Sequence, residues 1–284
     1  MNKVAVIHVW GGTGNQLFLY SFGEYLRCRY GLDVFYDLSS YGTTDIRNLE
    51  LRIVAGNLPE FKTKWYFFSR HKGVFRRLSL FIFKLLPYVH YEYDHFDEST
   101  LSKKVKIFYF DGYWQEKQYA EWLVNINPEF FKPVITIPSR IRTIASQLEG
   151  MDTTSIHIRR GDYLLPANAH LNVCNDLYYL RAVQNLSNKN DNVLVVFSDD
   201  IKWVKENLIF QNKTIYIEDK GESPFWYVYL MSKCHNHIIS NSTFSWWGAF
   251  LDRNTNKNVI APSRWRNDRS NPNLYYSEWS LIEV

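Results

Sequence analysis

The sequence predicts an α/β protein built of two doubly wound domains that face a central cleft. Short apolar segments alternate with helical ones along the chain, which is typical of parallel βαβ units. A glycine-rich turn joins the first strand to the first helix, and a stretch with three prolines separates the two halves. The chain has 284 residues, 46% of them apolar and 22% charged, so it is long enough for two cores of ordinary composition.

The first half opens with a strand, a glycine turn, a helix and a second strand. The first strand is predicted at Val4–Val9 and the turn at Gly11–Gly14, and the helix that follows ends at Gly31, a residue suited to a left-handed C-cap. A second strand, DVFYDL, comes next. The segment KIFYFDGYW (106–114) predicts another strand, with a helix near Glu116–Val124 after it.

The second half alternates strand and helix more regularly. The predicted strands are Ser155–Arg159, Val193–Ser198, Thr214–Glu218, His237–Ser240 and Val259–Ala261. The predicted helices are Ser139–Leu148, Asp176–Ser187, Asp200–Leu208, Pro224–Lys233 and Thr243–Leu251. Doubly wound domains bind ligands at the carboxyl ends of their strands, so the residues that follow each strand are the first candidates for a site.

The division between the domains is predicted in NPEFFKPVITIPSR (127–140), because its prolines interrupt both helix and strand. The predicted domains are residues 1–130 and 131–284. We expect the ligand in the cleft between them.

Composition and charge exclude several classes of protein. The net charge of +4 is too small for a concentrated basic surface, so no nucleic-acid partner is expected. Three widely spaced cysteines, Cys28, Cys174 and Cys234, form no metal pattern and favour a reducing compartment. The apolar start of the chain is too short for a signal peptide, and no uncharged run reaches the roughly 18 residues of a membrane span. These features predict a cytoplasmic protein.

Residues 61–91 depart from this even distribution of charge. The segment contains seven Lys or Arg and no Asp or Glu, and its apolar residues fall at helical spacing. Two interpretations remain open. The helix packs on the core and keeps its basic side chains in water, or it lies peripherally on the cytoplasmic face of an anionic inner membrane.

The segment SIHIRRGDY (155–163) ends a predicted strand with two arginines. On a strand, His157 and Arg159 point to one face and Arg160 to the other. Arginine stays charged when it is desolvated, and its planar fork matches two phosphate oxygens, so a diphosphate is the predicted ligand. A salt bridge from Arg159 or Arg160 to Asp162 is the alternative.

Two further segments bring polar groups to a helix start. GGTGNQ (11–16) suits an anion, although Gln16 stands where dinucleotide-binding proteins have glycine, and a structural turn is the alternative. SNSTFSWWGAF (240–250) carries four hydroxyl residues, more than helix capping requires, and these also suit a phosphate. The four are Ser240, Ser242, Thr243 and Ser245.

Carboxylates follow another predicted strand, in FSDD (197–200). Asp199 and Asp200 either accept from a ligand hydroxyl or base, or cap the next helix. No metal site is predicted, since the chain has no D-x-D sequence and no His/Cys cluster with ligand spacing. If a diphosphate binds without a metal ion, arginine has to neutralise its charge.

Five segments together resemble the α-1,2-fucosyltransferases of glycosyltransferase family 11. They are GGTGNQLFLYSFGEYL, FDGYWQ, SIHIRRGDY, FSDDIKWVKENL and YLMSKCHNHIISNSTFSWWGAFL, and they occur in the family's order. The resemblance implies a GT-B fold, with an acceptor-side first domain and a second, Rossmann-like domain that binds GDP-fucose. It implies inverting transfer of L-fucose to the 2-hydroxyl of a terminal galactoside, without a metal or other cofactor. For bacterial members it implies a lipid-linked precursor of surface polysaccharide, such as O-antigen, as acceptor.

The resemblance also implies roles for single residues. Arg159 corresponds to an arginine that contacts the β-phosphate, and His157 to a histidine near guanine. Thr243 and Ser245 correspond to residues that reach the phosphates, and Asn15 to an asparagine beside the donor sugar. The predicted donor site is Asn15, His157, Arg159, Arg160, Asp199, Ser242, Thr243 and Ser245.

The base of the predicted reaction stays open. Arg159 is expected to stabilise the charge on the departing diphosphate, while a carboxylate takes the proton of the acceptor hydroxyl. Asp162 is predicted first, by position. Asp111 and Glu116 of the first domain are alternatives, as is the leaving phosphate itself.

Two positions depart from the family pattern, and two other functions compete with this one. Thr13 stands where leucine is usual, and Tyr227 stands where an acid is common, with Glu218 and Asp219 as nearby replacements. A fucosyltransferase of another linkage, acceptor or deoxysugar nucleotide is the first alternative function. A non-catalytic glycan-binding module, suggested by the aromatic content, is the second.

Overall fold

The computed structural model describes residues 3–41, 47–61, 81–93, 95–186 and 192–284. The chain divides into two compact units, Met1–Ile135 (unit 1) and Thr136–Val284 (unit 2). The boundary predicted from the sequence, after residue 130, lies five residues earlier. Assigning acceptor and donor binding to the two halves stays a prediction.

Unit 1 is a parallel sheet with helices. Its elements are β1 (Val4–His8), α1 (Thr13–Tyr30), β2 (Asp33–Asp37), α2 (Arg52–Ala55), β3 (Val89–Glu92), β4 (Ile107–Phe110) and α3 (Lys117–Ile126). The strands lie in the order β2-β1-β4-β3, and every pairing is parallel. All four strands therefore end at one edge of the sheet, which we call the carboxyl edge of unit 1.

Helix α1 has a glycine at each of its caps. Its N-cap is the extended Gly12, so the helix begins two residues earlier than the glycine turn predicted. It ends at Gly31, whose φ of 65° is left-handed and whose amide donates to the carbonyl of Arg27, which confirms the predicted C-cap.

Unit 2 contains a second, six-stranded parallel sheet. Its elements are α4 (Ser139–Glu149), β5 (Thr153–Ile158), α5 (Asp176–Gln184), β6 (Val193–Ser198), α6 (Ile201–Asn207), β7 (Thr214–Ile217), α7 (Phe225–Met231), β8 (Asn236–Ile238), α8 (Thr243–Leu251), β9 (Val259–Pro262) and β10 (Ser280–Ile282). The strand order is β10-β9-β8-β5-β6-β7, again parallel throughout. Strand β5 lies near the middle, buried along its whole length.

The predicted elements of unit 2 are confirmed, with small shifts at their ends. β6 and α8 begin and end where the sequence predicts. β5 ends at Ile158, so Arg159 lies just beyond the strand rather than in it. The predicted end of α5 at Ser187 lies outside the described residues. Strands β3 and β10 were not predicted.

The basic segment 61–91 is described only from residue 81 onward, apart from residue 61, since residues 62–80 lie outside the described ranges. Phe83 is buried in a core cluster of unit 1 with Val6 and Tyr109. Phe81 and Leu85 are exposed. Within the described ranges, no helix combines the length and the apolar character needed to cross a bilayer.

Candidate active site

Buried polar pairs join β5 to its neighbour β8 and to the residues that follow β8. Ser155 Oγ lies 2.8 Å from His237 Nδ1, whose other nitrogen lies 3.1 Å from Asp252 Oδ2. Nearer the carboxyl end, His157 Nδ1 lies 2.8 Å from Ser240 Oγ. The first three residues have the side chains of a hydrolase triad, but all are buried, so they act as a structural tie. His157 belongs to the strand end where ligands bind.

His157 is a neutral side chain at physiological pH. Burial, and secondly the charge of Arg159, lower the pKa of His157 to about 3. A neutral imidazole offers a ligand a hydrogen bond without adding charge. This suits the predicted place of His157 near a nucleotide base.

We expect the free energy of unfolding to fall as the pH drops from about 6.5 toward 3. The imidazole of His157 takes up a proton near pH 6.5 in the unfolded chain but only near pH 3 in the folded one. His157→Gln should reduce this slope in urea unfolding at pH 7 and pH 5. Burial also lowers the pKa of His237, so part of the slope remains. The control is His90→Gln, on β3, and equal slopes in wild type and His157→Gln would contradict the prediction.

Arg159 is held between two carboxylates. Its Nη2 donates to Asp162 Oδ1, and its Nη1 lies 2.7 Å from Asp199 Oδ2. The guanidinium also lies 5.4 Å from the centre of the Tyr163 ring. Asp199 comes from the loop after β6, so the partners of Arg159 arrive from the ends of two adjacent strands.

Arg160 has different partners. Its guanidinium stacks 3.2 Å from the ring centre of Trp203, and its Nε lies 3.5 Å from Asp200 Oδ2. Its backbone amide donates to Asp199 Oδ1 at 2.9 Å. The alternative in which Arg160 holds Asp162 is therefore wrong, because Asp162 pairs with Arg159. The two arginines have separate partners, as the sequence predicts, although both lie just beyond the end of β5.

The ion pairs at the strand end carry one more negative than positive charge before any ligand binds. Two arginines meet three carboxylates, those of Asp162, Asp199 and Asp200. A diphosphate that binds Arg159 must therefore share it with these carboxylates or displace them. Asp162 Oδ1 is already engaged by Arg159, which makes Asp162 a less accessible base than its position in the sequence suggests.

Gly161 allows this arrangement. A Cβ at position 161 would lie 2.6 Å from Asp199 Oδ2, the oxygen that pairs with Arg159. We expect Gly161→Ala to push Asp199 away, loosen Arg159 and lower turnover about tenfold, since small displacements of a catalytic group are costly. The measurement is kcat with GDP-fucose, the donor that the sequence resemblance implies. Gly150→Ala is the matched control, because a Cβ there would meet nothing closer than 3.7 Å. Unchanged kcat in Gly161→Ala would contradict the prediction.

The predicted hydroxyl cluster lies at the start of α8, and part of it is used for structure. Ser242 caps the helix, its Oγ accepting from the amide of Phe244 at 3.3 Å. Ser245 Oγ lies 3.2 Å from the carbonyl of Ser242 and 3.5 Å from Ser240 Oγ. Thr243 is the first residue of the helix and is half-buried. Contact of Ser242, Thr243 and Ser245 with phosphate stays a prediction.

A cavity of about 560 Å³ opens at the carboxyl ends of β6 and β7. Its lining residues are Ser198, Asp199, Ile201, Lys202, Lys205, Glu206, Glu218 and Asp219. Hydrogen bonds from Lys220 and then Lys205 lower the pKa of Glu218 to about 2, so this carboxylate is ionised. The cavity adjoins Asp199, and through it the ion pair of Arg159.

Tyr227 stands where the family often has an acid, and its hydroxyl contacts two carboxylates. Its hydroxyl lies 2.9 Å from Asp219 Oδ1 and 2.8 Å from Glu222 Oε2. The other oxygen of Glu222 accepts from Arg140 Nη1 at 2.7 Å. The loop before α7 therefore supplies carboxylates that the helix lacks. Of these two carboxylates, the sequence analysis predicted Asp219, but not Glu222, as a replacement for the family's acid.

The glycine turn of unit 1 is fastened by Gln16. The side-chain amide of Gln16 donates to the carbonyls of Gly11 and Asn48, at 3.0 and 2.9 Å, and its oxygen accepts from the amide of Glu50 at 2.7 Å. Gln16, which breaks the dinucleotide-binding pattern, thus has a structural role. Asn15 Oδ1 accepts from Gln115 at 2.9 Å, and its predicted contact with the donor sugar stays a prediction.

Four polar side chains meet at the carboxyl edge of unit 1. His8 Nδ1 contacts Asp111 Oδ1, and His8 Nε2 lies 2.8 Å from Ser40 Oγ. The hydroxyl of Tyr91 donates to Asp111 Oδ2 at 2.5 Å. We call Ser40, His8, Asp111 and Tyr91 the His8 relay. Of its members only Asp111 was predicted, because the residues come from four separate strands or loops. Glu116, the other candidate base of this half, lies at the N-cap position of α3, and its carboxylate accepts from Gln118.

No group of three or more His, Cys, Asp or Glu side chains with the geometry of a metal site occurs among the described residues. The structure therefore offers no candidate ligand set for a cation in the ranges that it covers.

Comparison with known proteins identifies relatives along nearly the whole chain. The chain is 29% identical to the O-antigen biosynthesis glycosyltransferase WbnK of Escherichia coli, over 95% of its own length and 97% of that protein. It is 28% identical to an alpha-1,2-colitosyltransferase of Escherichia coli, over 93% of this chain and 92% of that protein. A shorter match reaches human galactoside alpha-(1,2)-fucosyltransferase 1, with 32% identity over 34% of this chain and 28% of that protein.

A solved structure and a family model complete the comparison. A mutant of Arabidopsis thaliana FUT1 in complex with GDP superposes with a TM-score of 0.51 and 11% identity, over 96% of this chain and 76% of that one. With the two parallel sheets, this likeness confirms the predicted GT-B class of fold. The family model of glycosyl transferase family 11 matches residues 59–283. Because this match covers most of the chain, the protein belongs to glycosyl transferase family 11.

Proposed function

We propose that the protein is a galactoside 2-α-L-fucosyltransferase, which transfers L-fucose from GDP-fucose to the 2-hydroxyl of a terminal galactoside in bacterial O-antigen or surface-polysaccharide synthesis. The observation that carries the proposal is the end of β5, where Arg159 pairs with Asp199 of the loop after β6 and the neutral His157 lies 2.8 Å from Ser240 of the hydroxyl cluster. The O-antigen glycosyltransferase among the relatives supports the polysaccharide acceptor.

In this proposal GDP departs as the acceptor oxygen attacks the anomeric carbon from the opposite face, which inverts its configuration. The oxygens of the β-phosphate gain charge as the bond to the sugar breaks, and Arg159 stabilises them. They replace Asp162 or Asp199 as partners of the guanidinium. The amino end of α8, at Thr243, adds the partial positive charge of a helix start. The proposed step uses no metal ion.

We assign the nucleotide base to the cavity beside Asp199. Guanine presents two neighbouring N–H donors, and carboxylates are the acceptors that match them. Asp219 and Asp199 line the cavity, and Asp199 becomes available to the base when the diphosphate replaces it on Arg159. His157 lies at the adjacent strand end and stays neutral there, so it adds a hydrogen bond without repelling the base.

Transfer of colitose is a second candidate function. It is favoured by the alpha-1,2-colitosyltransferase that matches 93% of this chain at 28% identity. Colitose is fucose without one ring hydroxyl, so the diphosphate and base contacts proposed above serve either donor. The choice between them depends on the contacts to the sugar.

The deciding experiment compares GDP-fucose with GDP-colitose against a panel of β-galactosides, with the new linkage identified by NMR. We expect transfer from GDP-fucose to form an α-1,2 linkage. Transfer from GDP-colitose alone would favour the second function, and another linkage would contradict the proposed acceptor position. Calorimetry with GDP in EDTA tests the rest: we expect binding, whereas a glycan-binding module would not bind GDP.

We also propose that residues 61–91 contact an anionic membrane, where a lipid-linked acceptor would be found. In the described part of the segment, Phe81 and Leu85 are 59% and 66% exposed, next to Lys84. We expect the protein to sediment with phosphatidylglycerol vesicles and Phe81→Ser/Leu85→Ser to lose this binding. Ile209→Ser is the control, since Ile209 is 84% exposed in unit 2. Equal sedimentation of the double variant and the control would contradict the proposal.

A further inference from the structure

We propose that His8, acting through the hydroxyl of Ser40, is the base that removes the proton from the acceptor hydroxyl, with Asp111 behind it as a positioning residue. The inference rests on the proposed glycosyl transfer, but not on which deoxysugar is transferred. It assigns the base to the His8 relay of unit 1, not to Asp162, which the sequence favours.

The relay has the connectivity that base catalysis requires. His8 Nε2 lies 2.8 Å from a hydroxyl oxygen, that of Ser40, and Nδ1 contacts a carboxylate. His8 and Asp111 are buried, whereas Ser40 is partly exposed. The imidazole edge that carries Nε2 therefore points toward the accessible end of the relay. The same order of hydroxyl, imidazole and carboxylate activates hydroxyl groups in many enzymes.

The hydrogen bonds around Asp111 determine which nitrogen of His8 is the acceptor. Asp111 Oδ2 accepts from the hydroxyl of Tyr91, and Oδ1 faces Nδ1 of His8. A carboxylate only accepts, so Nδ1 must carry the proton. In the neutral imidazole, Nε2 then holds the lone pair and accepts from Ser40. This tautomer lets Nε2 take the proton of Ser40 while Ser40 Oγ, the partly exposed end of the relay, takes the proton of the acceptor hydroxyl.

Aromatic rings beside the relay suit a sugar. Trp10 stacks on Tyr113 with ring centres 4.0 Å apart, and its ring lies 6.4 Å from that of His8 at an interplanar angle of 18°. Trp10 Nε1 is shielded from solvent and has no hydrogen-bond partner in the described part of the chain. An unsatisfied donor of this kind is costly unless a ligand accepts from it. A galactoside supplies both an apolar ring face and hydroxyl acceptors.

The other candidate bases have other tasks. Asp162 is engaged by Arg159. Asp111 is buried with both of its oxygens in hydrogen bonds, so it acts through His8 rather than on the substrate. Glu116 occupies the N-cap position of α3 without a capping hydrogen bond from its side chain, and its carboxylate accepts from Gln118.

The proposed step balances without any further reactant. The acceptor hydroxyl oxygen forms a bond to the anomeric carbon, and the bond from that carbon to the β-phosphate oxygen breaks, leaving its electron pair on GDP. The hydroxyl proton moves to Ser40 Oγ as the proton of Ser40 moves to His8 Nε2. Asp111 stabilises the resulting imidazolium, which then returns the proton to water.

The test compares His8→Ala with His90→Ala in the full-length protein. His90 lies on β3 of the same unit and pairs with Glu92, outside the relay. We expect His8→Ala to lower kcat at least about hundredfold, the range of general-base catalysis, while the dissociation constant of GDP stays within about twofold of wild type. Asp111→Asn should lower kcat at least about tenfold, because the amide no longer fixes the tautomer.

Added imidazole separates a lost base from a lost structure. We expect imidazole to restore turnover in His8→Ala in a saturable manner, and to leave His90→Ala and wild type unchanged. Wild-type kcat in His8→Ala would overturn the inference, and so would a lowered kcat that imidazole does not restore. If wild type transfers neither fucose nor colitose from the GDP-sugars, the proposed function fails first and the assignment of His8 fails with it.

Discussion

Turnover is expected to fall at least about tenfold when Arg159 is replaced by lysine. Lysine keeps the positive charge but has no planar fork, so it cannot hold two partners of fixed geometry at once. Arg159 bonds Asp162 and Asp199 through different nitrogens, and the proposed diphosphate needs the same fork. Loss of one strong contact to the departing group costs about this much or more.

The measurement is kcat with saturating GDP-fucose, together with the dissociation constant of GDP. Arg142→Lys is the matched control, since Arg142 is an exposed arginine on α4 whose side chain donates to the carbonyl of Ile137. If charge alone were sufficient at position 159, both variants would turn over at the wild-type rate, and the proposed role of Arg159 would have to be abandoned.

The second large effect is expected from Gly112→Ala, which should lower the stability of unit 1. Gly112 follows Asp111 in the FDGYWQ segment, and a Cβ there would overlap the backbone carbonyl oxygen of Tyr93. Backbone cannot move aside as a flexible side chain can. The cost of such overpacking is about 1–3 kcal/mol. Asp111 would move with it, so the His8 relay should also lose its geometry.

Thermal unfolding measures this effect, and we expect the Tm of Gly112→Ala to fall by at least about 3 °C. Gly150→Ala is again the control, with an expected change within about 0.5 kcal/mol. A Tm of Gly112→Ala equal to that of wild type would mean that the strand ends at Tyr93 and Phe110 can separate freely, contrary to the packing described above.

Much of unit 2 could be predicted because its local signals agree with one another. Strand β6 is an uninterrupted apolar run, and α8 begins at a serine that caps it. Strand β3 was missed because its sequence, VHYE, has no such pattern, and its place is set by pairing with β4. Four residues are too few for their sequence alone to predict this pairing.

The same division applies to the candidate site. The alternation expected of a strand through residue 160 separated Arg159 from Arg160; β5 ends at Ile158, yet the two arginines do have different partners. The sequence could not predict that Asp199, forty residues further on, pairs with Arg159. It also missed His8, because a single histidine at a strand end indicates nothing until the topology brings Asp111 beside it. Local patterns therefore located candidate residues, and the order of the strands determined their partners.

The carboxylates on either side of Arg159 have a further consequence for selectivity. An anion that binds the guanidinium must displace Asp162 or Asp199, so its interaction with Arg159 has to be stronger than theirs. Inorganic phosphate, which would gain only that one contact, is expected to compete poorly. In the proposed mode of binding, a nucleoside diphosphate also gains contacts to its base, and these offset the exchange. Free phosphate is therefore expected to be a weak competitor of the proposed donor.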